Sequence, residues 1–386
     1  MMEKENTVKN KFMSIIRSNV RSLTMVIALL AIWVVFSITT EGIFISTRNL
    51  VNLSRQTSII AILSLGMVLV IVSGNIDLSV GSVMGMLGCI GAALQVWNGM
   101  ATPWVILIML AIGAIVGAWH GFWVAYRKVP AFITTLGGYM AFKGVMLGIS
   151  KGQAITPLQE DFKMIGQGYL PAQIGWIIAA IAIVLIGTSM IRSRRSKKSF
   201  GFPLRTVWQD VLILLVAALG VVAVVAIMND YEGIPFPVLI LIVLTAAFSY
   251  LTKKTTFGRK IYAIGGNPEA AMLSGINRKK IVFSVYVIIG ILCGIGGAVL
   301  TARLNSATAQ AGQMAEMDTI AACVIGGTSM MGGVGSVGGA IVGALIMASL
   351  DNGMSLMNTE YFWQYIVKGF ILIIAVWFDI ATKKEG

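Results

Sequence analysis

Four polar residues crowd one short stretch between two apolar runs: Asn75, Asp77, Ser79 and Ser82 in SGNIDLSVGS, residues 73–82, with Gly81 among them. Inside a bilayer, polar backbone and charge at a helix break are tolerated only against protein or beside a watery cavity. Such a stretch can line or hinge a path for a polar solute. An ordinary turn between spans, with Asp77 facing the cytoplasm, fits the same residues. Lys143 is a second candidate, lying eleven residues into an apolar run or about 16 Å along a helix. An amine there must snorkel, pair with an acid or face water; Asp77 and Asp318 are the candidate partners. The third is IGGTSMMGGVGSVGGA, residues 325–340, where Gly326, Gly327, Gly332, Gly333, Gly335 and Ser336 interrupt an apolar segment. Its GSVGG echoes GSVMG at 81–85. Two glycine-interrupted segments in corresponding places mark an internally repeated transporter.

The longest polar interruption is residues 252–280, TKKTTFGRKIYAIGGNPEAAMLSGINRKK, with seven basic residues against one acid, Glu269. A short helix over 268–274 is expected at its centre. Asn267 suits the N-cap, Pro268 the first helical position, and Glu269 the positive end of the dipole. Ala270, Ala271, Met272 and Leu273 favour helix up to Ser274, and Gly275 suits the left-handed residue that ends it. A compact helix between two spans can push on a partner, with small Ala270 and Ala271 offering a surface for a cleft. A solvated loop that only sets orientation is the alternative.

Catalytic chemistry has little to stand on. The chain contains no Gly-Lys dipeptide, so it has no phosphate-binding P-loop. His120 is the only histidine, on an apolar run, and reads as a helix-packing residue. Cys89, Cys293 and Cys323 all fall in apolar segments without disulfide or zinc-ligand spacing. No metal site or bound cofactor is expected on this chain.

The elements that must position these residues are membrane spans. The chain is 57% hydrophobic and 12% charged, with mean hydropathy +0.86, too little charge to solvate 386 residues. Apolar runs of about 20 residues mark helical spans, expected at 23–40, 58–72, 80–97, 104–125, 132–149, 175–191, 211–228, 238–251, 281–301 and 361–377. Residues 48–56 read as a separate interfacial helix. Residues 150–173 read as a polar loop and 192–210 as a basic one. The fold class is all-α and polytopic, with about 10–12 membrane helices including glycine-broken half-helices.

The net charge of +13 does not point to nucleic acid, because the basic residues lie between spans. With the N-terminus inside, 22 Lys and Arg fall on the cytoplasmic side, in residues 1–22, 126–131, 192–210, 252–280 and the tail. Five fall outside, and Lys143 and Lys368 lie within spans. This asymmetry places both termini and residues 252–280 in the cytoplasm. The parity holds only if residues 318–350 return to the side they came from, as two half-helices meeting at the glycine break or as two short spans. The organisation expected is a cytoplasmic segment over 1–22, one membrane domain over 23–380 and a tail over 381–386.

GGNPEAAMLSGIN resembles the coupling loop of permeases of monosaccharide ABC importers, the xylose, ribose and galactose group. IDLSVGS is similar to a hallmark of the same family, and so is the glycine-rich 325–340. RKVPAFITTLGG, SLDNGMS and FWQYIVKG are similar to the xylose-type members, as is the pair of extra spans at 175–191 and 211–228. The resemblance runs from Arg48 almost to the C-terminus. It implies a non-catalytic permease for D-xylose first, with galactose, arabinose or ribose as alternatives. It implies docking of residues 267–275 into a separate ATPase that holds ATP and Mg. It also implies an extracytoplasmic sugar-binding protein, a second permease copy and the cell membrane of a prokaryote. A secondary transporter coupled to protons or sodium would need titratable groups in several spans. Only Asp77, Lys143 and Asp318 are expected there.

Overall fold

The computed structural model describes residues 24–381. The expected cytoplasmic segment 1–22 and nearly all of the tail lie outside the described residues. Helix α1 (Thr24–Thr39) is followed by a 3-10 turn and α2 (Thr47–Val72), α3 (Val80–Val96) and α4 (Thr102–Gly121), which runs on into a π-helical turn. Next come α5 (Ala131–Ser150), α6 (Glu160–Gln167), α7 (Ala172–Ser199), α8 (Val207–Tyr231) and α9 (Phe236–Lys254). Two short helices, α10 (Thr256–Gly266) and α11 (Pro268–Leu273), precede α12 (Arg278–Leu304). The chain closes with α13 (Ala315–Ile325), α14 (Val337–Leu356) and α15 (Tyr361–Ala381). One antiparallel pair, β1 (Tyr169–Leu170) with β2 (Ile234–Pro235), ties the α6–α7 connection to the α8–α9 turn. Among the described residues nine helices are long and apolar enough to cross a membrane; α1 and α3 are shorter apolar helices.

The core forms around α2 and α12, whose side chains are largely buried, while α5, α7, α8 and α15 expose most of theirs. Water cannot drive helices together within lipid, so close packing must do it. Gly113, Gly117 and Gly121 line one face of α4 at four-residue spacing. A Cβ at Gly117 would stand 2.1 Å from the Tyr286 carbonyl oxygen, and one at Gly290 2.1 Å from that of Gly113. The α4 and α12 backbones therefore touch, and an alanine at either glycine would separate them.

Several expectations need correction. Residues 48–56 are not a separate interfacial helix but the first turns of the 26-residue α2. Their polar groups are satisfied by neighbours instead of an interface. Asn49 and Asn352 exchange amide hydrogen bonds of 2.8 and 3.0 Å. Arg55 donates to the Gln167 carbonyl at 2.7 Å, and Arg303 to Asn52 at 3.1 Å. The basic run after 191 is not a loop either: α7 continues to Ser199, and Arg194 pairs with Asp210 at the start of α8. A capping box of Thr206 and Gln209 starts α8 earlier than residue 211. The polar loop 150–173 contains α6, which begins on Glu160 and Asp161. Residues 318–350 are neither two half-helices nor two short spans. α13 has 11 residues and α14 has 20, about 16 Å and 30 Å by helical rise. One half-length helix meets one full-length helix, and α14 ends where α12 did, beside the start of α2 (Asn352 on Asn49, Arg303 on Asn52), so the chain still returns to the side it came from.

Candidate functional site

Helix α10 is hung from α9 by a cap: the Thr255 hydroxyl oxygen accepts from the Gly258 N–H at 3.1 Å. Gly258, Ile261 and Ile264 form its buried face. Tyr262 donates its hydroxyl to the Gly335 carbonyl at 2.9 Å, across to the glycine-rich segment. Burial raises this phenol above its ordinary value, so it keeps its proton at neutral pH and remains a donor. At Gly265 the contact becomes backbone on backbone. A Cβ there would lie 1.7 Å from the Val72 carbonyl oxygen and 2.5 Å from the Gly333 nitrogen. The Gly333 N–H itself donates to the Val72 oxygen at 2.9 Å.

Directly beyond α10, Asn267 caps α11, its side-chain oxygen accepting from the Ala270 N–H at 2.9 Å. Pro268 holds the first turn, Glu269 is exposed, and Gly275 has φ of 77°. Ser274 caps the other end, its hydroxyl donating to the Ala270 carbonyl at 2.8 Å. The outward surface differs from the one expected. Ala271 is 4% exposed and packs inward, while Met272 and Leu273 are 55% and 91% exposed. The i, i+1 offset of about 100° per residue on a helix separates these faces.

The glycine-rich segment is non-helical from Gly326 to Gly335. Gly327, Gly332 and Gly333 take φ of 95°, 86° and 73°, which side-chain-bearing residues avoid. Ser336 then caps α14, accepting from the Gly339 N–H at 2.9 Å. The turn is also fastened to α15, where Asp379 accepts from the Met330 N–H at 3.3 Å.

Residues 73–82 leave this same junction from the end of α2. Asp77 is 2% exposed, so the turn facing solvent is excluded. Its carboxylate accepts from the Ser79 N–H at 2.8 Å and the Ser79 hydroxyl at 2.6 Å. Asn75 donates to the Ser73 hydroxyl at 3.0 Å, Ser82 to the Ser79 carbonyl at 2.8 Å, and the Leu78 N–H to Thr135 at 3.1 Å. A Cβ at Gly81 would meet Glu316 at 2.1 Å and the Gly312 carbonyl oxygen at 2.4 Å. The start of α3 is thus pressed onto the entry of α13.

Three stretches singled out from sequence therefore meet at Val72, Gly265 and Gly333, while Asp77 and Lys143 do not join them. His120 is buried among Trp119, Phe142 and Tyr286. The three cysteines are free and buried. Lys143 makes no ion pair among the described residues; its Nζ lies 5.9 Å from the Tyr139 ring centroid. Asp77 is held by Ser79, and Asp318 belongs to another cation: Lys368 reaches Asp318 at 2.9 Å and Asp351 at 2.8 Å. Glu316 is buried as well. The short inventory of titratable groups in spans was too short, because charges from α13, α14 and α15 gather across the fold. Two signals for these features stood in the sequence. Charges placed in apolar runs demand partners, and Thr255 followed by Phe257, Ile261 and Ile264 has a helix start and helical apolar spacing.

Long apolar helices around a glycine-broken segment, with the short helix α10 packed against the break, define a polytopic membrane protein of the permease class. The chain belongs to the family described as branched-chain amino acid transport system, permease component, which it matches over residues 49–376. It is 48% identical to the xylose transport system permease protein XylH of Escherichia coli strain K12 over 95% of this chain and 94% of that one. Identity to the XylH protein of Haemophilus influenzae is also 48%, covering 95% and 98%. The ribose import permease protein RbsC of Haemophilus influenzae is 35% identical over 88% of each chain. No solved structure matches.

Proposed function

We propose that this chain is the membrane-spanning subunit of an ATP-driven, binding-protein-dependent importer of D-xylose. The 48% identity to xylose permeases over nearly the whole chain supports xylose ahead of ribose, whose permease stands at 35%. The chain lacks a P-loop, so its motor is a separate ATPase carrying ATP and Mg. A binding protein delivers the sugar from outside, and a second copy of the chain completes the path. The 22-to-5 bias of basic residues supports a cytoplasmic side for α10, α11 and both termini, and the bacterial permease relatives support the cell membrane of a prokaryote.

The observation that carries this reading is the seating of α10–α11. Helix α11 holds Glu269, Met272 and Leu273 out to solvent. Its neighbour α10 rests on the end of α2 and on the glycine break without intervening side chains. A displacement of α11 by the ATPase passes through Gly265 into Val72 and Gly333 together. Val72 immediately precedes the segment 73–82 and Gly333 lies within 326–336, and both segments can move against the α2–α12 core. The test is the double variant Glu269→Lys/Gly275→Val. Normal insertion with loss of ATPase co-purification and of sugar uptake is expected; retention of both at wild-type levels would reduce the loop to a topological anchor.

A further inference from the structure

At the opposite end of α15 from its contact with the glycine break lies a cavity of about 480 Å³. Tyr361 and Asp379 are separated by 18 residues on α15, about 27 Å by helical rise. Under the orientation proposed above, the cavity therefore opens to the extracytoplasmic side. Its walls carry Gln310, Gln313 and Gln364, the rings of Tyr361 and Tyr365, and the Lys368 ammonium. The volume lies within the about 300–1,000 Å³ range of small-molecule sites.

The chemistry is selective. A carboxamide carries donors and an acceptor, which suits hydroxyls that themselves donate and accept; Gln364 already gives one N–H to the Thr359 carbonyl at 3.0 Å and keeps its oxygen and second N–H for a ligand. The phenol rings offer flat apolar faces with a polar edge. Lys368 is the one charged residue in the lining, and it is already held by Asp318 at 2.9 Å and Asp351 at 2.8 Å. An amino acid zwitterion would find neither a free cation nor a free anion in this lining. Asp318 and Asp351 stand behind Lys368, outside the lining.

We propose that this cavity is the permease's receiving site for a neutral monosaccharide. Gln310, Gln313 and Gln364 grip hydroxyls, Tyr361 and Tyr365 cover the ring, and Lys368, held from behind by Asp318 and Asp351, closes one wall. The site rests on the importer reading and assigns it a specificity determinant within the membrane subunit. Sugar released by a binding protein would be held here until the path opens.

The test is uptake into proteoliposomes holding the full chain, its ATPase and the sugar-binding protein, with D-xylose, for wild type, Gln313→Ala/Gln364→Ala and the shape-preserving Gln364→Glu. ATPase pull-down reports folding and assembly for each. A fall of tenfold or more in uptake at subsaturating loaded binding protein, with undiminished pull-down, is expected in both variants. If the alanine variant fails to assemble, Gln364→Glu alone reads the result. Wild-type uptake with undiminished uptake by assembled variants overturns the site while leaving the importer reading standing. A wild-type chain that moves no monosaccharide overturns that reading and the site together.

Discussion

Replacing Gly265 with alanine puts one methyl group where the structure has a backbone contact. The Cβ would lie 1.7 Å from the Val72 carbonyl oxygen, whereas ordinary contact begins at 3.4 Å, so α10 must retreat by about 1.7 Å. Such a retreat breaks the wedge between Val72 and Gly333 and strains their 2.9 Å hydrogen bond. Overpacking of this kind costs about 1–3 kcal/mol, and a lost backbone hydrogen bond about 0.5–1.5 kcal/mol. The docked junction is then disfavoured by about 2–4 kcal/mol, or about 30- to 700-fold. Gly266→Ala is the matched control. It shares helix α10 and therefore the same propensity gain, but its Cβ meets nothing within 4 Å. In proteoliposomes with ATPase and binding protein, Gly265→Ala should lower uptake at least tenfold while Gly266→Ala stays within about twofold of wild type. Equal uptake by the two variants would refute transmission through this contact.

Lys368→Met leaves Asp318 and Asp351 without their shared cation, and removing one partner of a buried ion pair costs about 3–5 kcal/mol. A lowered unfolding temperature in detergent is expected, with partial recovery in Lys368→Met/Asp351→Asn. Asn49→Leu and Asn352→Leu each orphan a buried amide, at about 1–3 kcal/mol. The double variant should lose less than the sum, which a thermal-stability double-mutant cycle reads directly. Tyr262→Phe removes the hydrogen bond to Gly335 and should lower uptake without lowering expression. Ser196→Cys at the basic end of α7 should resist an impermeant thiol reagent in intact cells; ready labelling would reverse the topology.

Much of this architecture was legible because lipid enforces simple rules. Long apolar runs became helices, and Asn267, Pro268 and Gly275 became a cap, a first turn and a left-handed terminus. Glycine at 332 and 333 marked an interruption of the apolar segment, while the positive φ that each adopts came with the structure. What sequence could not supply was partnership across distance. Asn49 looked interfacial because its partner, Asn352, lies 303 positions away. Asp77 and Asp318 were both open as partners of Lys143, because Lys368, which holds Asp318, lies on another span. Pattern also could not say which face of α11 turns inward, since Ala270 and Ala271 are equally small. The meeting of Val72, Gly265 and Gly333 was hidden for the same reason: each is unremarkable alone, and their close approach follows from tertiary packing.

The central claim is that a motor outside this chain drives a neutral sugar through it by way of α10 and α11. The most direct measurement is radiolabelled D-xylose accumulation in proteoliposomes containing the chain, the ATPase and the xylose-loaded binding protein. The account predicts accumulation that requires ATP, is blocked by vanadate and is lost when the ATPase is omitted. Accumulation driven by a proton or sodium gradient without ATP, or accumulation of leucine in place of xylose, would contradict it.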